Sequence, residues 1–384
     1  MSNLTKTDFQ FLTEGLVDVR SLCHFRVVHH TAYVMKTIFS VALTLASASV
    51  GSAQTLLVQV KPAGSDLWGY ANNKGEMVVP PTYKSCFRFT ESGYAAVNDP
   101  VTKKGGFIDT KGQRLQTEVS DFELIGGLFQ TDVQGFACGL APVKVSEKWG
   151  FMNTEGKLVV PAKYDKVDAF DGCHTVVEIA KKKYILSSDG KEAPIADANV
   201  VDVKSFVEGL APFVTADKKH GFMDGDQKVM IPAQYLGVGY FSDGLAWAKD
   251  AGKRVGFIDK TGKWVIEPKF DAATDFDPVS GMARVKSGEE TFFVDKSGNA
   301  MRVTGATGLE PFRDGLAEGK RGELVGFIDK TGAWAIEPKF QGARKFKNGH
   351  CAVKQGELWG MIDKTGAWVL EPKYDGIKDM ELVK

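Results

Sequence analysis

The sequence has no surplus of charge of either sign: 48 Lys plus Arg stand against 48 Asp plus Glu in 384 residues. No net field therefore draws the chain to nucleic acid or to an anionic membrane. Histidine is scarce, and beyond residue 53 only His174, His220 and His350 occur, with no two at a metal-ligand spacing. Cysteine is nearly as scarce. Cys86, Cys138, Cys173 and Cys351 recur at no fixed position, which excludes a repeated disulfide framework and makes buried free thiols the expectation. Export would allow one pair, Cys138 with Cys173, since both flank equivalent glycines. No apolar run is long enough to cross a bilayer as a helix. There is no glycine loop leading into a Lys-Ser or Lys-Thr helix start, no nucleophile elbow and no paired carboxylates gathered in one segment. Catalytic residues, cofactors and metals are accordingly not expected.

One apolar run does stand out. Met35 and Lys36 precede Ile38–Val50, and Gly51, Ser52 and Ala53 follow. A positive start, a short apolar stretch and small residues are the parts of a signal peptide cleaved after Ala53. A buried helix is the structural alternative. Residues 1–34 then form an upstream segment, 35–53 the signal and 54–384 the mature chain, so the expected address is extracytoplasmic, periplasmic or secreted.

Glycine is abundant, 42 of 384 residues, and its placement repeats. Gly256–Gly262 and Gly326–Gly332 both read GFIDKTG, and Gly360–Gly366 reads GMIDKTG. Sliding this template along the chain finds nine anchors, at 69, 106, 150, 183, 221, 256, 292, 326 and 360, spaced 33 to 44 residues apart. Around them recur an apolar segment ending in proline (Trp264–Pro268, Trp334–Pro338, Trp368–Pro372), an aromatic soon after (Phe270, Phe340, Tyr374), a second aromatic (Phe276, Phe346) and a Gly-Leu-Ala-like segment (Gly139–Val143, Gly209–Phe213, Gly244–Ala248).

The punctuation of each unit predicts its structure. The Gly-Leu-Ala segment and the anchor segment alternate as two strands of a hairpin. The Asp-x-x-Gly turn leads to a third strand, with Asp259, Asp329 and Asp363 capping backbone N–H groups and Gly262, Gly332 and Gly366 free to take positive φ. Proline, lacking an N–H, is expected to end that strand. A lone meander cannot bury its aromatics, so neighbouring units must stack. Six of seven tryptophans fall in two template slots, Trp68, Trp149 and Trp359 before the anchor and Trp264, Trp334 and Trp368 after the turn, which predicts core packing. The fold expected is all-β, a tandem array of about nine antiparallel β-meander repeats. An open, twisted, solenoid-like stack is favoured because nine units exceed the usual propeller count of roughly four to eight, with propeller-like closure the alternative.

These motifs resemble the WG repeat family known from bacterial proteins, named for the pair that stands here as Trp68-Gly69, Trp149-Gly150 and Trp359-Gly360. The likeness covers about residues 55–384. It implies an all-β repeat array with a binding or scaffolding role and brings no catalytic residues with it. His220-Gly221 departs from the pattern, and the copies at Lys183 and Phe292 lack the anchor glycine, which puts regular geometry in question around 175–205 and 286–312.

Candidate partner-binding residues come from the hairpin turns ahead of the anchors: Lys103, Lys104, Lys181, Lys182, Lys218, Lys219, Lys253, Arg254, Lys320 and Arg321, together with Trp247, the tryptophan outside both slots. Stacked in register, these turns form a basic edge suited to an acidic glycan or protein, and the plain alternative is a set of solvated turns. The inserted stretch Gln116–Gln134 is a second candidate contact. The function expected is that of an exported, non-enzymatic binding or scaffold protein for a protein or glycan partner, with a cell-envelope hydrolase or a purely structural array as alternatives.

Overall fold

The structure is a computed structural model and describes residues 55–124 and 135–383. The upstream segment, the signal peptide of 35–53 and residues 125–134 of the inserted stretch lie outside the described residues. Every described element is a strand, and all nine anchors fall inside one. The sixth module shows the plan. Gly237–Val238, Leu245–Lys249, Val255–Asp259 and Trp264–Phe270 pair antiparallel in that order as a four-stranded sheet. The Gly-Leu-Ala segment and the anchor segment are the middle hairpin, Trp247 opposite Phe257. The Asp turn is as expected: Asp259 Oδ1 accepts from the N–H groups of Thr261 at 2.8 Å and Lys263 at 3.1 Å, and Gly262 takes φ +82°.

Two features differ from the expected three-stranded meander. First, the residues after the aromatic form a short extra strand that opens the next sheet, as Ala272–Ala273 does for the seventh module. Second, proline does not end the strand it was expected to end. Pro268 sits within Trp264–Phe270 at a register shift: Ile266 pairs with Phe257, the chain bulges, and Phe270 pairs again with Val255. Proline is tolerated at a bulge on an edge strand because its missing N–H has no ladder partner to lose. The bulge presses a carbonyl onto the anchor glycine. A Cβ on Gly256 would lie 2.4 Å from the Ile266 oxygen, and the same clash recurs at Gly69 (2.4 Å), Gly150 (2.6 Å), Gly221 (2.5 Å), Gly326 (2.6 Å) and Gly360 (2.6 Å). The two copies without the glycine have Tyr184, one residue beyond the Lys183 expected from sequence, and Phe292 in its place, opposite Val177 and Val285; their fourth strands are short, Glu192–Pro194 and Ala300–Met301, with no bulge. Their irregularity is therefore local: the middle hairpins still form in register.

Adjacent modules are held by paired aromatics. The residue after the anchor packs on the second aromatic of the next module, as in Phe257 on Phe276 at 4.7 Å and Phe327 on Phe346 at 4.8 Å between ring centroids. Phe107–Phe136, Phe151–Phe170, Phe222–Phe241, Phe293–Phe312 and Tyr70–Phe89 repeat the contact. Each pair contributes about 1 kcal/mol beyond its burial. The tryptophans are half-buried and rim these clusters, Trp264 against Phe222, Tyr235 and Phe241, Trp368 against Phe327 and Phe340.

The two ends of the array meet. Thr55–Pro62 pairs antiparallel with the C-terminal part of Trp368–Val383, Val58 opposite Met380 and Val60 opposite Ile377, so the first module takes its first strand from the end of the chain. Small separate sheets are those of a stack, with no closed barrel among the described residues, and joined ends are what propeller-like closure requires. Buried Met361 and Met380 fill this junction where seven others place an aromatic pair, and Ile185 with Phe206 fills the junction of modules four and five.

The glycine contact predicts an asymmetry between two substitutions. Gly256→Ala forces the bulge away and costs about 3 kcal/mol. Gly244→Ala, in open space at φ +81°, costs about 1 kcal/mol from backbone strain alone. Urea denaturation of the two variants measures both; equal losses would show that the carbonyl contact is relaxed.

Candidate functional site

The basic residues read from sequence lie in the turns between second and third strands, along one edge of the modules. Lys103, Lys104, Lys181, Lys182, Lys218, Lys253, Arg254, Lys320 and Arg321 are exposed and Lys219 is half-buried. Lys103, Lys181, Lys218 and Lys253 adopt φ of +61° to +64°, the left-handed region that side chains other than Gly, Asn and Asp enter at a cost. The same edge carries acids. Lys104 pairs with Asp121, Arg254 with Asp271, and Arg321 with Glu337 at 2.9 Å while its guanidinium covers the Trp334 ring. Asp271 also accepts the Gly288 N–H at 2.6 Å, and Asp165 accepts Ala180 N–H at 2.7 Å while pairing with Lys148. Acidic turns interrupt the series, at Glu147 in the third module and at Glu289 and Glu290 in the seventh. Three of the ten candidate cations, Lys104, Arg254 and Arg321, are thus held in local ion pairs. Trp247 does not belong to it. Its indole lies over the backbone of Gly239, where a Cβ would be 2.2 Å from Nε1, and it packs against the core around Phe257 and Phe276.

A different group of charges faces a cavity of about 650 Å³ where the chain ends meet. Among its walls are the residues that precede the second aromatic in modules two, eight and nine, Phe87-Arg88, Glu310-Pro311 and Arg344-Lys345, and those that precede Met380, which takes that place in module one, Lys378-Asp379. Arg313, Glu318, Lys347, Glu381 and Gln59 complete it. Here the strands bring together charge that lies almost 300 residues apart in the sequence. Lys378 Nζ donates to the Cys86 carbonyl at 3.0 Å and lies over the rings of Trp68 at 5.1 Å and Phe87 at 5.4 Å. Buried Gln59 donates to the same carbonyl at 2.9 Å. Arg344 pairs with Asp379 at 3.3 Å and Lys347 with Glu381 at 2.7 Å. Burial pushes the Lys378 ammonium down and the Glu381 carboxyl up. The Glu318 carboxyl is raised as well, first by burial and then by Glu310 beside it. Six cations and four acids line the cavity, so its balance is positive. The signal in sequence is the two residues ahead of the second aromatic, or of Met380 in its place, which vary from module to module and are charged around the joined ends.

Other candidates read from the sequence fall elsewhere. Cys86 and Cys351 are buried as free thiols, but Cys138 and Cys173 are exposed, contrary to the expectation of burial, because both stand in solvent-facing turns. Among the described residues no group of three or more His, Cys, Asp or Glu is placed to hold a metal ion, and no helix is long and apolar enough to cross a membrane.

The Glu318 shift carries a pH dependence. Its folded carboxyl binds a proton more tightly than the unfolded one, so its charge opposes folding once pH rises above the unfolded value. Glu318→Gln is therefore expected to raise the urea midpoint at about pH 7 and to leave it unchanged at about pH 3, where both side chains are neutral. Equal midpoints at neutral pH would place the carboxyl in water.

Comparison with one solved structure supports the fold. The crystal structure of a eukaryotic initiation factor aligns with a TM-score of 0.54 at 10% identity, covering 86% of this chain and 98% of that one. BamB from Moraxella catarrhalis aligns with a TM-score of 0.36 at 11% identity over 76% of this chain and 91% of its own. Kluyveromyces lactis Hsv2p does so with 0.36 at 7% over 64% and 94%. No curated protein matches the sequence. The family described as WG containing repeat matches at residues 68–99, 149–172, 221–253, 256–289, 326–359 and 359–381, which are the modules where the bulge closes over the anchor glycine. With nine anchors in strands, the recurrent glycine contact and these six matches, the chain belongs to the WG repeat family.

Proposed function

We propose that this repeat protein is an exported, non-enzymatic binding module, and that it takes an acidic glycan or an acidic protein segment into the cavity at its joined ends. The observation that carries the reading is the cavity itself: about 650 Å³, with Arg88, Arg313, Arg344, Lys345, Lys347 and Lys378 on its walls. That volume accommodates a few sugar rings or several residues of an extended peptide. Guanidinium groups suit carboxylates, since they present paired donors in a plane. Lys378 and Gln59 hold the floor through the Cys86 carbonyl, and Arg313, whose guanidinium donates to the Phe312 carbonyl at 2.9 Å, lines the wall together with Arg88. Export rests on the Met35–Ala53 segment, and an extracytoplasmic address would give the protein access to envelope polymers.

The basic edge supports a second reading, since four of its lysines hold backbone conformations that glycine would adopt more cheaply. A hydrolase reading draws on Glu318 and Glu310, two neighbouring carboxylates in one cavity with the first raised.

Titration calorimetry with oligogalacturonate and with poly-L-glutamate, at low and high salt, separates these readings. Micromolar binding that weakens with salt is expected, with Arg88→Glu plus Arg313→Glu reducing affinity at least about tenfold. Lys181, Lys218 and Lys253 exchanged for Glu should leave it unchanged. The reverse pattern would move the site to the edge, and product release from any envelope polysaccharide would make the protein an enzyme.

A further inference from the structure

The turns between first and second strands carry a link that repeats from module to module. Each is a tight turn whose two central residues both take positive φ: Glu208-Gly209, Asp243-Gly244, Asp314-Gly315 and Asn348-Gly349. The first central side chain reaches the next module's turn. Glu208 accepts the N–H groups of Asp243 at 2.7 Å and Gly244 at 3.3 Å, and Asp314 accepts that of Gly349 at 2.6 Å. A lysine from the next module's Asp turn then pairs with the same carboxylate, Lys260 with Glu208 at 3.1 Å, Lys364 with Asp314 at 3.0 Å and Lys296 with Asp243. Acid and lysine thus occur together across three junctions.

At the junction of modules three and four neither is present. Cys138 occupies the first central position of its turn, at φ +48°, and Cys173 the second central position of the next, at φ +61°. They are 35 residues apart, as Asp314 and Gly349 are. Ser188 stands where the lysine would be, and its N–H donates to the Cys173 carbonyl at 2.9 Å. The Cys138 thiol faces both the Cys173 thiol and its backbone N–H, and burial together with that thiol pushes it up to about 11. Both residues are exposed, so an oxidant reaches them.

We infer that Cys138 and Cys173 form a disulfide that stands, at this junction, in the place of the carboxylate–lysine link of those three. The oxidant is a small disulfide such as oxidised glutathione, or a dithiol oxidase. One cysteine thiolate attacks a sulfur of that disulfide and expels one thiol. The second thiolate attacks the resulting mixed disulfide and expels the other. Two protein thiols lose two electrons and two protons, and the oxidant becomes two thiols. The inference is independent of the cavity and of its ligand.

The experiment uses the full chain, equilibrated in reduced and oxidised glutathione buffers, quenched with acid, alkylated and digested without reductant. A single cross-linked peptide pair containing Cys138 and Cys173 is expected in the oxidising buffer and is lost on reduction. Unfolding should move up by about 5 °C in the oxidised wild type, since a loop of this length is closed in the unfolded chain, and should not move in Cys138→Ser plus Cys173→Ser. The single variants should carry a glutathione adduct on the remaining thiol. Separate alkylation of both cysteines after oxidation, or a cross-link from either one to Cys86, Cys351 or Cys23, would overturn the assignment. Ligand affinity of the oxidised and reduced proteins should agree within twofold, which keeps this result separable from failure of the binding reading.

Discussion

Everything in this fold turns on how closely one backbone lies over another. At the anchor glycine the fourth strand bulges so that a carbonyl sits where a Cβ would be, 2.4 to 2.6 Å from its ideal position in six modules. That contact lets Pro268 and its counterparts lie inside an edge strand, and it returns Phe270 to the ladder opposite Val255. The aromatic then stands at a fixed height on the sheet. Where the glycine is missing, at Tyr184 and Phe292, the bulge is missing too and the fourth strand shrinks to two or three residues. Proline, aromatic and glycine are therefore one device, and none has its effect without the others.

The bulge fixes the module, and the aromatic pairs fix the series. Each pair joins a third strand to the residues that open the next sheet, so no module buries its ring alone. The last junction obeys the same rule with different atoms, Met361 and Met380, both fully buried. Methionine suits that place, because its flexible thioether fills a gap whose two sides come from opposite ends of the array. Joining the ends also removes the free strand edge of Thr55–Pro62, which would otherwise invite pairing with another molecule.

Much of this is legible in the sequence, and what is not has a physical cause. The hairpins, the Asp turns and the stacking of modules follow from residue types at short range, where Asp259 and Gly262 specify their own turn. Proline misleads because its effect depends on a partner strand: Pro268 ends a ladder only if its missing N–H would have faced one. The tryptophans are less buried than their fixed slots suggest for a related reason, since the half-buried rims go to the largest rings and the closed interior to phenylalanine. Composition makes the edge look basic because it counts Arg254 without placing Asp271 beside it. The cavity stays hidden because Arg88, Arg313 and Lys378 are neighbours only after the ends meet.

This division suggests where specificity can reside in a repeat protein. Positions that recur, the glycine, the proline and the aromatics, are committed to holding the array and differ little between modules. The two residues ahead of the second aromatic, or of Met380 in its place, differ in chemical type from module to module. They read Phe-Arg, Asp-Ala, Lys-Ser, Thr-Asp, Glu-Pro, Arg-Lys and Lys-Asp at 87–88, 168–169, 204–205, 274–275, 310–311, 344–345 and 378–379. Cations concentrate in those modules that adjoin the joined ends, while Asp168 and Asp275, with carboxyls raised by burial, lie further along the series. A surface built this way can change its charge from module to module while the bulge and the aromatic pair recur, because these two positions lie outside both.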